Sequence, residues 1–397
     1  MNEDYLEKNF DEIGKMLDIF VAYPDVYLDT IKPDDSNFTL FFYQRITLRS
    51  LMRYRDIFIT APRAFSKSFI VILGMFLQCC FMPGTKRFIC APNKNQSAQI
   101  AKEKLTEIYD RWPLLRREVI GGDVTDVPGN FGKDYVTIKF RNGSQLDVVG
   151  ALDSTRGGRR HGGLVDEIRD HEEQPLNEIV FPLMNVSRRL PDNTVNPREP
   201  NQQRICVTSA GVKTSFAYDI LMDIFEMSVI KPGQNFCFGC DYRVPVLHGL
   251  IDKNYIDKLK LSPSYNEASF AREYASIWSG SSEESWFNFD KLQKHRKIKN
   301  PEMRAKIVSD PNQFYLLSVD VGRISDQTVV SVFRVRVNNG KYYCVLVNLY
   351  VLGRTPETKP FTVQALHLKK LIKAYDPREV VIDTNGLITS PYAQKCA

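Results

Sequence analysis

A chain of 397 residues with 43% hydrophobic and 25% charged side chains can bury two or three full cores, which excludes an intrinsically disordered protein. Fifty-three basic against 47 acidic residues leave a net charge of +6, compatible with a polyanionic partner but short of the charge density of an obligate nucleic-acid binder. An acidic N-terminus and the lack of any apolar run of membrane-spanning length predict an intracellular protein without a leader or a membrane span.

Residues 1–50 carry helical, amphipathic patterning that ends in Phe41-Phe-Tyr-Gln-Arg45 just before the first strand. Tyr43 and Gln44 can stack on and hydrogen-bond an adenine, and a packed helix with a neighbouring amide gives the same sequence. Strand 56–60 then runs into Ala61-Pro-Arg-Ala-Phe-Ser-Lys-Ser68 and a helix over 67–80. A strand that turns into a helix at a Lys-Ser pair is where a nucleoside triphosphate binds. Backbone N–H groups at the helix start attract anionic oxygens, the Lys67 ammonium bridges the outer phosphates, and the Ser68 hydroxyl ligates Mg²⁺. Glycine usually stands at both ends of such a loop; Ala61 and Ser66 stand there here.

Strand 87–91, helix 95–110 and strands near 135–140 and 144–149 follow. Asp153-Ser-Thr-Arg-Gly-Gly-Arg-Arg-His161 is a basic, glycine-containing loop whose Arg156, Arg159 and Arg160 can stabilise charge on a γ-phosphate or sit in solvent against DNA phosphates. Next comes a strand near 163–166 within His161-Gly-Gly-Leu-Val-Asp-Glu167, where apolar residues lead into adjacent carboxylates. In phosphoryl transfer the first, Asp166, holds Mg²⁺ and the second, Glu167, deprotonates the attacking water; the same pair can simply start a helix. Strand 204–208 ends in Thr208-Ser-Ala-Gly211, at the sheet edge where a hydroxyl senses the γ-phosphate or a plain turn begins. This alternation predicts a parallel sheet with helices on both faces, and the extra strand at 87–91 between loop and carboxylates suits a RecA-like P-loop NTPase of the ASCE type.

Past residue 232 helical periodicity in 255–261 and 266–278 replaces strand signal, giving a small helical linker over 233–306 after an ATPase domain over 1–232. Lys291, Lys294, Arg296, Lys297 and Lys299 form a basic helix face there, solvated or set against a DNA backbone. The eight cysteines read as reduced, and Cys237-Phe-Gly-Cys240 lacks the second pair a zinc site needs. A third domain over 307–397 opens with strand 313–320, ending in Asp320, and an antiparallel partner up to Phe333. Strand 341–351, helix 359–375 and strand 379–383, ending in Asp383, complete it. Asp320 and Asp383 side by side would ligate one or two Mg²⁺ or Mn²⁺ ions for phosphodiester cleavage, whereas each alone reads as a cap.

In this order, these residues resemble the large terminase subunit of tailed bacteriophages, a packaging ATPase joined to an RNase H-like nuclease. The likeness rests on the glycine-poor loop with Arg63 inside it, the Arg156–Arg160 segment, Thr208-Ser209-Ala210, and Ala271-Arg-Glu-Tyr-Ala275. The resemblance implies that Arg63, Ser66, Lys67, Ser68, Tyr43, Gln44, Asp166, Thr208 and Ser209 bind ATP, with Ser68 and Asp166 on Mg²⁺. It implies catalytic roles for Lys67 and Glu167, a finger role for Arg63 or an arginine of 156–160, coupling of hydrolysis to motion by Thr208 and Ser209, and a nuclease site at Asp320 and Asp383. Double-stranded DNA, a portal protein, a small terminase subunit and a homo-oligomeric ring on the procapsid are the implied partners, in the host-cell cytoplasm and without a membrane. The family's nuclease takes a third carboxylate from a later helix. Asp326 does not occupy that position and the chain ends at Ala397, so the nuclease domain is expected to be C-terminally truncated.

Overall fold

The structure is a computed structural model that describes residues 8–122, 129–132, 135–151, 157–280, 289–306, 310–322, 327–353 and 360–383. Arg156, Asp326 and everything after Asp383 lie outside them. The chain packs as two compact units, Met1–Asp290 and Lys291–Ala397. The boundary expected at 232/233 therefore falls inside the first unit, between a helix and a strand of the same layered assembly.

In the first unit, helices α1 (Phe10–Ala22), α2 (Pro24–Ile31) and α3 (Phe42–Arg53) lead to β1 (Asp56–Thr60), and α4 (Lys67–Phe81) follows the turn at 61–66. Then come β2 (Lys86–Cys90), α5 (Lys94–Arg111), β3 (Asn130–Phe131), β4 (Val136–Lys139), β5 (Gln145–Val148), β6 (Gly162–Asp166), β7 (Gln203–Thr208), α6 (Phe216–Ile230) and β8 (Asn235–Gly239). The eight strands form one sheet in the order β3-β4-β5-β2-β6-β7-β1-β8. Every pairing from β5 to β8 is parallel, and β3, β4 and β5 pair antiparallel.

Alternation along the strands divides the core in two. Ile57, Ile59, Leu164, Ile205 and Val207 face α3, α4 and α5, while Phe58, Phe88, Val165 and Cys206 face α6 and the helical stretch 176–184. α4 buries nearly its whole circumference, as a helix held between sheet and outer helices must. β6 is poor in large residues because its neighbour fills the space. A Cβ on Gly163 would stand 2.5 Å from the Phe88 ring, and one on Gly162 would stand 2.1 Å from Arg87 Nη1. The strand that separates β1 from β6 in space is β7; β2, which separates them in sequence, lies beyond β6. All the parallel strands end at one edge, so the turn after β1, the carboxylates after β6 and Thr208-Ser209 after β7 become neighbours.

β8 was not foreseen. It is a half-buried edge strand beside β1; Cys237 within it packs into one core and Cys240, just past its end, into the other. Short helices over 243–247, 253–261 and 267–273 follow. No helix among the described residues is long and apolar enough to cross a membrane.

The second unit holds an antiparallel meander of β9 (Gln313–Asp320), β10 (Thr328–Asn338) and β11 (Lys341–Leu352), with β12 (Glu379–Asp383) parallel to β9 after helix α7 (Phe361–Tyr375). The sheet order is β11-β10-β9-β12. Tyr315, Leu317, Val319 and Leu368 share its core with Val380 and Ile382. The basic segment at its start departs from the expected helix face: the helix ends at His295, and the exposed Arg296, Lys297 and Lys299 lie past it, where Ile298 turns into the core.

Candidate functional site

The turn at 61–66 folds without glycine by placing two side-chain-bearing residues in the left-handed region. Ser66 has φ 64° and Ala64 φ 60°. Ser66 thus takes, immediately before Lys67, the conformation that glycine adopts at little cost. Lys67 is almost buried, and its Nζ donates to the carbonyls of Ala61 at 3.0 Å and Pro62 at 3.3 Å. Burial lowers its pKa, opposed by the nearby Glu167 and Asp166.

Across the sheet edge, Ser68 Oγ donates to Asp166 Oδ2 at 2.7 Å. Asp166 is buried, and burial raises its pKa to about 6 against the pull of the Ser68 bond. Its other oxygen accepts the Glu167 N–H at 3.2 Å. A hydroxyl and a carboxylate this close form a donor set of the kind that could hold Mg²⁺, since that ion takes one or two protein oxygens and fills the rest with water and phosphate. Among the described residues no cluster of three or more acidic, His or Cys side chains offers a larger cage.

Glu167 has φ 46° and ψ 54°, a left-handed residue that costs on the order of 1–3 kcal/mol and that a surrounding structure must enforce. That backbone turn sends its carboxylate between two partners. Oε1 lies 3.8 Å from Lys67 Nζ, and Oε2 accepts Thr208 Oγ1 at 3.0 Å and the Ser209 N–H at 3.2 Å. Lys67, Ser68, Asp166, Glu167, Thr208 and Ser209, drawn from three stretches of chain, therefore converge.

Tyr43 and Gln44 do not line an open surface. Tyr43 is 5% exposed, packs its ring at a 31° tilt against Phe65 with ring centres 4.3 Å apart and donates to the Phe65 carbonyl at 3.3 Å. Gln44 Oε1 accepts the Phe41 N–H at 2.9 Å, capping α3. Tyr43 supports the loop from beneath. Of the loop arginines, Arg160 is bound to Asp147 through Nε and Nη2 on one edge of its guanidinium, with Nε 3.0 Å from Oδ1, while Arg159 is exposed. Arg63 is 66% exposed at its side chain and bonds Glu273.

Three further residues gather here without having been singled out. His171 Nε2 lies 3.0 Å from the Asp166 carbonyl, and burial lowers its pKa. Arg169, two residues past Glu167, donates to the Ala210 carbonyl at 2.7 Å and to Glu273 at 2.6 Å. Glu273 stood within the Ala271–Ala275 segment of the resemblance with no role attached. Its partners lie 210 and 104 positions away, beyond any local pattern.

In the second unit Asp383 and Asp320 are register partners at the ends of two parallel neighbours. Adjacent strands lie about 4.8 Å apart, so the two carboxyl groups leave the same face together. It is the face opposite the core residues Leu317 and Val319.

Searches of protein-family models and of curated proteins return no match. Among solved structures, the chain is similar to the large terminase ATPase domain of Thermus phage P74-26, at 15% identity and TM-score 0.44, over 62% of this chain and 99% of that one. It is also similar to the ADP-bound large terminase of a thermophilic bacteriophage, at 14% identity and TM-score 0.44, over 88% and 78% of the two chains. The Phi-28 gp11 DNA packaging motor is a third, at 11% identity and TM-score 0.26, over 86% and 93%.

Proposed function

We propose that the first unit is a RecA-like ATPase and that the chain is a DNA packaging motor subunit of the large terminase type. The observation that carries the reading is the meeting of Lys67 and Glu167 at 3.8 Å, beside Ser68 and Asp166 at 2.7 Å, at the edge where a strand turns into a helix. Lys67 exchanges its loop carbonyls for the outer phosphates of ATP. Ser68 and Asp166 are the residues that would hold Mg²⁺, which supplies charge neutralisation on those phosphates. Glu167, oriented by Thr208 and Ser209, accepts the proton of the attacking water, and the same two residues feel its position and pass the change to β7. The sequence resemblance supports double-stranded DNA as the translocated substrate, with a portal protein, a small terminase subunit and a ring of like subunits as partners. The exposed Lys294, Arg296, Lys297 and Lys299 suit contacts with a phosphate backbone.

The second unit is read as the RNase H-like nuclease of the same family. Its β11-β10-β9-β12 order and the in-register Asp320 and Asp383 support a divalent-metal site. Purified Lys67→Ala should stay folded and lose ATP turnover, and Glu167→Gln should bind ATP yet hydrolyse it about 10²–10⁴-fold more slowly. Turnover retained in Lys67→Ala would remove the loop from the mechanism.

A further inference from the structure

β8 stands at the end of its sheet with β1 as its one neighbour among the described strands. Two bonds fix which of its groups that neighbour uses. The Asp56 N–H donates to the Gln234 carbonyl at 3.1 Å, and the Cys240 N–H donates to the Thr60 carbonyl at 3.4 Å. Main-chain groups of alternate residues turn to the same side of a strand, so Asn235, Cys237 and Gly239 turn theirs outward, away from β1. Edge strands are commonly shielded by a charge, a proline or a bulge. Asn-Phe-Cys-Phe-Gly has neither charge nor proline, and its register with β1 is unbroken.

Beside this open edge, β8, α6 and the segment 275–278 enclose a cavity of about 460 Å³, with Leu221, Phe225, Cys237, Gly239, Ser276 and Trp278 in its wall. Phe225 is half exposed, and Val229, one turn further along α6, is exposed as well. Ser276 is held at φ 55°, and its hydroxyl is shut off from water without a hydrogen-bond partner among the described residues. Buried hydroxyls are rarely left unmatched, so the wall holds a polar contact that an occupant can complete. Unused main-chain donors and acceptors next to an apolar cavity suit an extended peptide, whose backbone pairs with the edge while every second side chain enters the cavity.

Charge narrows the partner. Asp219, Asp223 and Glu226 follow one another along α6 at helical spacing on the face adjoining Leu221, Phe225 and Val229; all three are exposed, and α6 has no basic residue. Asp241, in the cavity wall, is bonded to Arg243. Arg204 lies 3.9 Å from Asp223 but is committed to Asp56 at 3.0 Å, and Lys213 and Lys231 stand beyond the two ends of the helix. Along its length the helix therefore presents acidic groups beside the apolar strip.

We propose that the β8 edge is the docking site of an extended partner peptide, apolar at alternate positions and basic at its flanks, which adds to the sheet as a further strand. The inference does not depend on the hydrolytic reading of the loop.

Fluorescence anisotropy of a labelled Lys-Val-Thr-Val-Thr-Val-Lys peptide, titrated with the full chain, tests it. A saturable rise is expected, weakened about 10-fold or more when the central valine is N-methylated or when glutamates replace the lysines. Cys237→Pro removes one outward N–H and none of those turned to β1, so it should weaken the peptide to a similar degree. Phe225→Asp changes an exposed side chain and carries the same expected loss should Cys237→Pro not fold. Glu226→Lys should weaken the lysine peptide and strengthen the glutamate one. No saturable binding, N-methylated and glutamate peptides that bind like the parent peptide, or parental affinity in folded Cys237→Pro or Phe225→Asp would overturn the proposal. A chain that binds no peptide but sediments as a dimer, and as a monomer in Cys237→Pro, would assign the edge to a second copy instead.

Discussion

Ser66 illustrates how a loop that lacks glycine keeps a glycine's conformation. Its φ of 64° and ψ of 31° lie in the left-handed region, which costs an L-residue roughly 1–2 kcal/mol. Ser66→Gly removes that strain but frees the unfolded chain, and the two effects nearly cancel, so a net change within about 1 kcal/mol is expected. Ser66→Val adds a β-branched side chain to a conformation it tolerates badly and should cost about 2 kcal/mol more than the glycine variant. Urea midpoints of the two variants check this, and a valine variant as stable as the glycine one would show that the turn does not need the left-handed state. The same residue shows what sequence could convey. Ser66 and Ala61 look like departures from a phosphate loop, yet a serine can be held in the required state when its surroundings enforce it. Letters alone do not report that enforcement. Tyr43 left two readings open, since an aromatic beside an amide is equally suited to an adenine and to the underside of a loop, and its burial beside Phe65, 22 positions away, is not a local signal.

Among elements, β6 was the poorest signal in the sequence and the most constrained strand in the sheet. Gly162 and Gly163 are small because Arg87 and Phe88 of β2 lean across them, so apolar bulk missing from one strand is supplied by its neighbour. Gly163→Ala drives a Cβ into a fully buried ring and should cost about 1–3 kcal/mol by chemical denaturation; an unchanged midpoint would mean that β2 gives way freely. At the start of the same strand pair, His161 Nδ1 accepts the Lys86 N–H at 3.0 Å, and burial, then Arg87 and Lys86, lower its pKa from 6.5 to about 4. Between those two values the unfolded chain binds the proton and the folded one does not, so stability falls as pH drops from about 6.5 to about 4. For a half-buried ring the effect is on the order of 1 kcal/mol after solvent screening. His161→Asn should flatten that part of the pH profile of the urea midpoint, and an unaltered slope would assign the acid lability elsewhere. Periodicity was legible for β1, β2, β4 to β7, α4 and α5, where strands and helices alternate with clear turns, whereas β3 and α6 went unread. β8 escaped because it is five residues long, half-buried and placed at the edge, where one face of alternation carries little apolar weight.

For the whole molecule, the expected division at 232/233 and 306/307 followed changes of local pattern, whereas packing divides the chain at 290/291. A linker that contributes Glu273 to the loop and Trp278 to the core under β1 is held by long-range contacts that local composition cannot register. The proposed chemistries fall in separate units, which makes them separable by substitution. Asp320→Asn and Asp383→Asn should each abolish Mn²⁺-dependent nicking of plasmid DNA while ATP turnover stays within twofold of the parent, as expected for sites that share no partner. Because the two carboxylates are register partners that would share an ion, the double variant should be no worse than either single one. Glu167→Gln should do the reverse, slowing ATP turnover and leaving nicking intact. Nicking that survives in Asp320→Asn would mean that the paired strand ends serve only the fold of the second unit, and the molecule would then be a translocating ATPase that does not cut.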